Sequence, residues 1–235
     1  MNLFFCPEVL QQKFYLNDIE SNHCKNVLRK KINDIIDIFD GKGTFHKVQI
    51  TSIIRNKVKF KIIKTSKEIN KKYYLHIAIS PLKKVSRFEN FIEKSTEIGI
   101  DQITPLFCIN SEKHNINYER LNNIIISALK QSKRATIPKL NNAEKFEDFI
   151  KKNFKSKKYI ATCNTNFKKE LLSKTIRKSK NIIILIGPEG GFTNIEIELA
   201  SNNNFNFVSL GRNTLRTETS GIVACQTVKI INDEN

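Results

Sequence analysis

The sequence lacks most of the signatures that place a protein quickly. Its 5 cysteines (Cys6, Cys24, Cys108, Cys163 and Cys225) include no Cys-x-x-Cys pair, and no His stands at metal-ligand spacing from another. That argues against a zinc site, and an odd, scattered set of thiols fits a reducing cytosol. The opening stretch "MNLFFCPEVLQQKF" has neither the basic n-region nor the apolar h-region of a secretory signal. No apolar run approaches the ~20 residues that span a bilayer. The expectation is a cytoplasmic protein with no metal and no membrane partner. Phosphate signatures are also missing: neither G-x-x-x-x-G-K-[ST] nor G-x-G-x-x-G occurs. This removes the usual grounds for an NTPase or a dehydrogenase. There is no internal repeat. Glycine is scarce, with 8 in 235 residues, so a cluster of glycines stands out.

What is present is charge. Lys and Arg number 40 against 23 Asp and Glu, a net of +17, and such a surface attracts polyanions, nucleic acid first. Lys, Asn and Ile are all abundant, as AT-rich genomes encode, so net charge alone is weak ground for an RNA or DNA partner. The 40% hydrophobic content marks a globular chain.

Residues 1–68 read as β-rich, with a turn at Gly41 and Gly43. In "RNKVKFKI" a period of two sets Arg55, Lys57, Lys59 and Lys61 on one strand face and Val58, Phe60 and Ile62 on the other. One face is then buried and the other is a row of positive charge, either a solvated face or a place for phosphates. "HCKNVLRKK" adds His23, Lys25 and Arg29 on a short helical piece. The polar stretch "TSKEINKKYY" marks a domain boundary, which leaves 1–68 and 74–235 as two domains. Beyond it strands alternate with helices. One helix carries Phe88, Phe91, Ile92, Ser95 and Ile98 on one face and stops at Gly99; another carries Leu121, Ile125, Ala128 and Ser132. That alternation predicts an α/β domain with a parallel sheet.

Five of the eight glycines crowd residues 187–221. The order there is a strand ("IIILI"), a loop ("GPEGGF"), a helix capped by a Thr193–Glu196 box, a strand ("FVSL"), a loop ("GRNTLRTET") and a last helix. Two glycine-bearing loops therefore leave strand ends at one sheet edge, where open α/β sheets bind ligands. Glu189 would repel a pyrophosphate and suit a cationic ligand, while bare backbone admits a flat ring. S-adenosylmethionine meets both conditions. A glycine loop that serves only tight strand–helix packing is an equal alternative.

"LIGPEGGFTNIEIELA" and "LGRNTLRTETSGIVACQTV" resemble the ribosomal RNA small subunit methyltransferase E family of the SPOUT methyltransferases. "HCKNVLR", "FDGKGT", "KSTEIGIDQITPLF" (Ile98 for the usual Leu) and "ERLNNIIISALKQSKRATIPKL" resemble further segments in the family's order. The resemblance implies a small N-terminal PUA-like β-barrel, then a SPOUT domain whose parallel sheet is closed by a trefoil knot. It implies S-adenosylmethionine bound in the knot at a homodimer interface, and methylation of N3 of a uridine in small-subunit ribosomal RNA. Residue by residue, Ile186, Gly187, Glu189 and Gly190 match the first cofactor loop, and Leu210, Gly211, Leu215 and Arg216 the second. Thr162 and Cys163 are candidates for a third wall. For catalysis the expectation names Arg216, then Arg134, with Glu218 as a proton acceptor or a helix-terminal carboxylate. RNA contacts are expected at His23, Arg29, Arg55, Lys57, Lys59 and Lys61. The family often continues after Leu-Gly with Pro or a basic residue, then Arg-Ile-Leu-Arg; this chain has Arg212, Asn213, Thr214, Leu215 and Arg216. Two other readings stay open: a related enzyme acting elsewhere, such as a transfer RNA ribose 2′-hydroxyl, and an RNA-binding protein without chemistry.

Overall fold

The computed structural model describes residues 3–55, 57–69, 71–112, 115–163, 168–176 and 181–233. The chain forms two compact units. The first takes residues 1–70 together with 126–137, and the second takes 71–125 and 138–235. The grouping of 126–137 with the first unit is one that a linear reading of the chain does not propose.

In the first unit, β1 (Leu3–Phe5) runs parallel to β2 (Ile35–Phe39), and β2, β3 (Thr44–Ile54) and β4 (Lys57–Lys67) follow as antiparallel neighbours. Between β1 and β2 lies α1 (Asp18–Asn22), capped by the Asn17 side chain and continued by a wider turn over His23–Val27. The β2–β3 turn holds the two expected glycines and is closed by Asp40, whose Oδ1 accepts from the backbone N–H of Lys42 and Thr44. Phe4, Ile36, Ile38, Val48 and Ile50 form the centre of its core.

The alternation in β4 holds as far as Phe60. Val58 and Phe60 are 1% and 3% exposed, and Lys57, Lys59 and Lys61 face solvent. It fails at Ile62, which is 37% exposed. Just past it the register shifts: Lys47 pairs with Lys64 while Val48 pairs with Ile62, so Ile63 is an extra residue, and from Lys61 onward the strand has no covered face. Arg55 is also not on the strand; it sits in the hairpin turn with φ +53.

The second unit is a single parallel sheet. Its strands are β5 (Tyr74–Ile79), β6 (Gln102–Phe107), β7 (Lys139–Leu140), β8 (Glu144–Lys145), β9 (Lys157–Ala161), β10 (Glu170–Leu171), β11 (Asn181–Ile186) and β12 (Asn206–Ser209). They lie in the order β10-β12-β9-β11-β5-β6-β7, with β8 also paired to β6. The helices are α2 (Val85–Ile98), α3 (Tyr118–Ser132, its last turns counted with the first unit), α4 (Phe146–Ile150), α5 (Leu172–Thr175), α6 (Asn194–Asn202) and α7 (Thr217–Asp233). Ile182 to Ile186 of β11 are all buried, because helices cover both faces of a central parallel strand. Phe146, Phe149 and Ala200, from α4 and α6, pack on Ala78, Ile160, Ile183 and Leu185. α2 and α7 pack together beside β5. Among the described residues no helix is long and apolar enough to cross a membrane.

Two places in this unit have little slack. A Cβ at Gly221 of α7 would stand 2.5 Å from the Phe91 ring and 3.0 Å from Ile79, and both side chains are fully buried. His76 of β5 is buried with its Nε2 2.7 Å from Thr104 Oγ1, against the ring edges of Phe149 and Phe154. Burial, helped by the charges of Lys139 and Lys152, lowers its pKa to about 3.

Gly221→Ala should lower the urea midpoint without changing the slope. Overpacking costs about 1–3 kcal/mol, which exceeds the ~1 kcal/mol that alanine gains in helix propensity. His76 gives stability that is complete above its unfolded pKa near 6.5 and is lost as pH falls toward about 3, because the unfolded chain takes up the proton first. Between pH 6.5 and 5, His76→Gln should remove a stability slope of up to about 1.4 kcal/mol per pH unit, read as urea midpoints of the two proteins.

Candidate functional site

β11, β9 and β12 are adjacent and parallel, so their C-terminal ends meet at one edge. Three loops leave that edge and enclose one hollow of about 760 Å³. From β11 the chain enters the first glycine loop, and Ile186, Gly187, Glu189 and Gly190 line the hollow. From β12 it enters the second, and Leu210, Gly211, Leu215 and Arg216 line it from the other side. β9 lies between these strands and contributes Thr162 and Cys163. Residues predicted separately are thus brought together by strand order. Gly211 has φ +150 and nothing within 4 Å of where a Cβ would stand, so the loop presents bare backbone. The loops are tied down: Thr217 Oγ1 donates to the Gly187 carbonyl at 2.9 Å, and the Gly191 N–H donates to the Pro188 carbonyl at 2.9 Å.

Residues 69–229 match the model of an RNA methyltransferase domain, and residues 16–63 match that of an RNA methyltransferase PUA domain. Ribosomal RNA small subunit methyltransferase E of Rickettsia conorii is 34% identical over 92% of this chain and 88% of its own length. The chain belongs to the ribosomal RNA small subunit methyltransferase E family. The family member of Mesomycoplasma hyopneumoniae is 32% identical over 94% of this chain and 96% of its own. A probable rRNA-methyltransferase from Porphyromonas gingivalis superposes with a TM-score of 0.93 at 33% identity, covering 99% of both chains. The family member from Neisseria gonorrhoeae, solved with S-adenosyl methionine bound, superposes at 0.85 with 29% identity over the whole of both chains. The fold is therefore the family's parallel-sheet methyltransferase fold, with a PUA-like domain before it.

Within this family member the hollow carries three cations, Lys169, Arg212 and Arg216, and one carboxylate, Glu189, among its described lining residues. The Arg216 side chain is exposed and has no hydrogen-bond or ion-pair partner among the described residues. Lys169 was not anticipated, since it sits in a polar stretch without pattern.

Glu218 is not brought to the hollow. The last helix begins at Thr217, which turns Glu218 toward α2, where it is buried with Oε1 3.7 Å from Arg87 Nε. That place suits a carboxylate at a helix N-terminus. Arg134 belongs to the first unit, where its Nε donates to Glu68 Oε1 at 3.1 Å. Glu68 also accepts from the N–H of Ala135 and Thr136 and from Thr136 Oγ1. Burial alone would raise the Glu68 pKa, but the Thr136 hydrogen bond and the Arg134 charge outweigh it and hold the carboxyl below its ordinary value. Of the other first-unit candidates, Lys57, Lys59 and Lys61 share one open face, with Lys57 Nζ 4.7 Å above the Tyr15 ring. Arg29 is exposed at φ +51, and His23 is half-buried with its ring edge-on to Phe4.

Two braces of the first loop were missed. Asn110 Nδ2 donates to the carbonyls of Gly190 and Gly191 at 3.3 and 3.1 Å. Glu196, recognised in sequence only as the capping-box partner of Thr193, also accepts the Ile109 N–H through Oε1 at 2.8 Å. These braces join residues 80, 81 and 87 positions apart, and no local pattern reports them. Among the described residues no group of three or more His, Cys, Asp or Glu could hold a metal ion.

Asn110→Ala should loosen the first loop while leaving the sheet intact. Loss of about 1 kcal/mol of hydrogen bonding should speed amide exchange at Gly191, whose N–H is bonded to Pro188, about fivefold. Exchange in β11, measured in the same experiment, should not change.

Proposed function

We propose that this chain methylates N3 of a uridine in small-subunit ribosomal RNA with S-adenosylmethionine as donor, acting as a homodimer in the cytoplasm. The observation that carries the reading is the hollow shared by the ends of β11, β9 and β12, with the Glu189 carboxylate and the bare backbone at Gly211. At about 760 Å³ it falls within the ~300–1,000 Å³ of small-molecule sites. The donor fits what is there: Glu189 complements cationic groups, Gly191 and Gly211 have open space where a Cβ would stand and leave room for a flat ring, and Ile186, Leu210 and Leu215 supply apolar contact. The knot and the dimer are carried over from the family; the Thr217–Gly187 hydrogen bond ties the segment after β12 to the loop after β11.

When bound, S-adenosylmethionine supplies a methyl group on a sulfonium, open to in-line displacement. This chain's residues then have two tasks. One is to hold the reacting atoms in line, which contributes much of the rate in such transfers. The other concerns the nucleophile. Uridine N3 carries a proton that must pass to solvent water before N3 attacks the methyl; its acidity lies roughly two units on the basic side of neutral, so forming the anion costs about 2.7 kcal/mol. The Arg216 guanidinium is planar and exposed in the hollow, shaped to hold a uracil carbonyl oxygen as it gains charge. The base must be unpaired or drawn from its stack for N3 to reach the methyl. Lys57, Lys59 and Lys61 form an open cationic face on the first unit, suited to RNA phosphates, as positioning and not as sequence readout.

The test is methyl transfer to small ribosomal subunits or their RNA, followed by nucleoside mass spectrometry. The expected product is 3-methyluridine; ribose methylation, or none, would overturn the reading. Arg216→Ala should lower turnover by about 10²–10³-fold while calorimetry finds donor affinity little changed. Equal loss of both would reduce Arg216 to a binding residue.

A further inference from the structure

The hollow's charge does not balance. Its described lining residues carry three cations against one carboxylate. The donor proposed above has a sulfonium and an ammonium but only one carboxylate, so its arrival adds positive charge instead of cancelling it. Arg212 is one source of the excess. It stands four positions before Arg216 on the same loop, where the family often has Pro or another basic residue, and its side chain is exposed while lining the hollow. Gly211 beside it has open space at its Cβ position, so backbone can be approached there. Lys169 adds a second cation from the β10 side. An exposed guanidinium on an open glycine-bearing loop suits a tetrahedral, doubly accepting oxyanion.

We infer that Arg212, assisted by Lys169, grips a backbone phosphate of the RNA strand next to the base that enters the hollow. The inference rests on the proposed methyltransferase reading for the identity of the strand. Arg212 is here a positioning residue: it holds the polymer while Arg216 faces the base. One other anion shares the chemistry, the carboxylate of the donor, and the two are separable by experiment.

Binding of a short single-stranded, uridine-rich RNA is followed by fluorescence anisotropy across a salt series, with and without S-adenosylmethionine. Donor affinity is measured separately by calorimetry. Arg212→Gln should flatten the slope of log affinity against log salt by about 0.7 for each phosphate no longer held, with donor affinity unchanged. Arg212→Lys, which keeps the charge, should restore most of the slope, as a merely structural defect would not. Lys169→Gln should act in the same direction, and more weakly. An unchanged slope for Arg212→Gln overturns the inference. A loss of donor affinity with the slope intact also overturns it, by assigning Arg212 to the donor carboxylate. The proposed activity fails on a different reading: no donor binding by the unaltered protein. The salt series without donor judges the phosphate grip in either case.

Discussion

Everything at the site depends on one geometric constraint, the parallel run of β11, β9 and β12. Parallel strands that are hydrogen-bonded neighbours end at the same edge, so loops distant in sequence are delivered to one place. The constraint is stiff because β11 is buried on both faces. Shifting it would strip apolar packing from both covering helix layers at once. The first glycine loop can therefore be open and side-chain-poor without being loose, because it leaves the end of a strand buried on both faces.

The loops are then held from outside. Asn110 and the backbone at Ile109, both following β6, reach across to Gly190, Gly191 and Glu196. Glu196 bonds with both oxygens, one closing the helix cap and one fixing the neighbouring loop, and it is buried. A buried carboxylate is costly unless its lone pairs are used, and here their use joins two loops. The result is a preorganised wall, which a methyl transfer needs because alignment contributes much of its rate.

Charge divides the labour. Among the described lining residues Glu189 is the one carboxylate beside three cations, while the first unit shows a face of lysines. A cationic donor and a polyanionic substrate make opposite demands on one protein. The chain meets them by confining its negative group to one loop and leaving its surplus of Lys and Arg exposed.

Much of this was legible in the chain. The helix stripes of α2 and α3, the capping box at Thr193 and the alternation through Phe60 depend on neighbours a few residues apart, and so local sequence encodes them. The two glycine loops were legible because backbone without side chains is rare in this chain. What failed depended on partners far away. Ile62 keeps the alternation but is exposed, because the covered face of β4 ends at Phe60, and how far a core extends is set by distant elements. Arg55 was set on a strand face because the turn conformation it adopts is imposed by the hairpin. Glu218 was grouped with Arg216 because they are close in sequence, but a helix start between them sends the two side chains different ways.

The sequence by itself determined the element types, the scarcity and clustering of glycine, the sign of the charge and the family. Only the tertiary structure decided that β9 lies between β11 and β12, that Lys169 and Arg212 join the hollow, and that Asn110 braces it. The physical reason is that strand order and long-range hydrogen bonds are properties of pairs of distant segments. Their energies are settled by packing the whole sheet, and no short window of residues contains them.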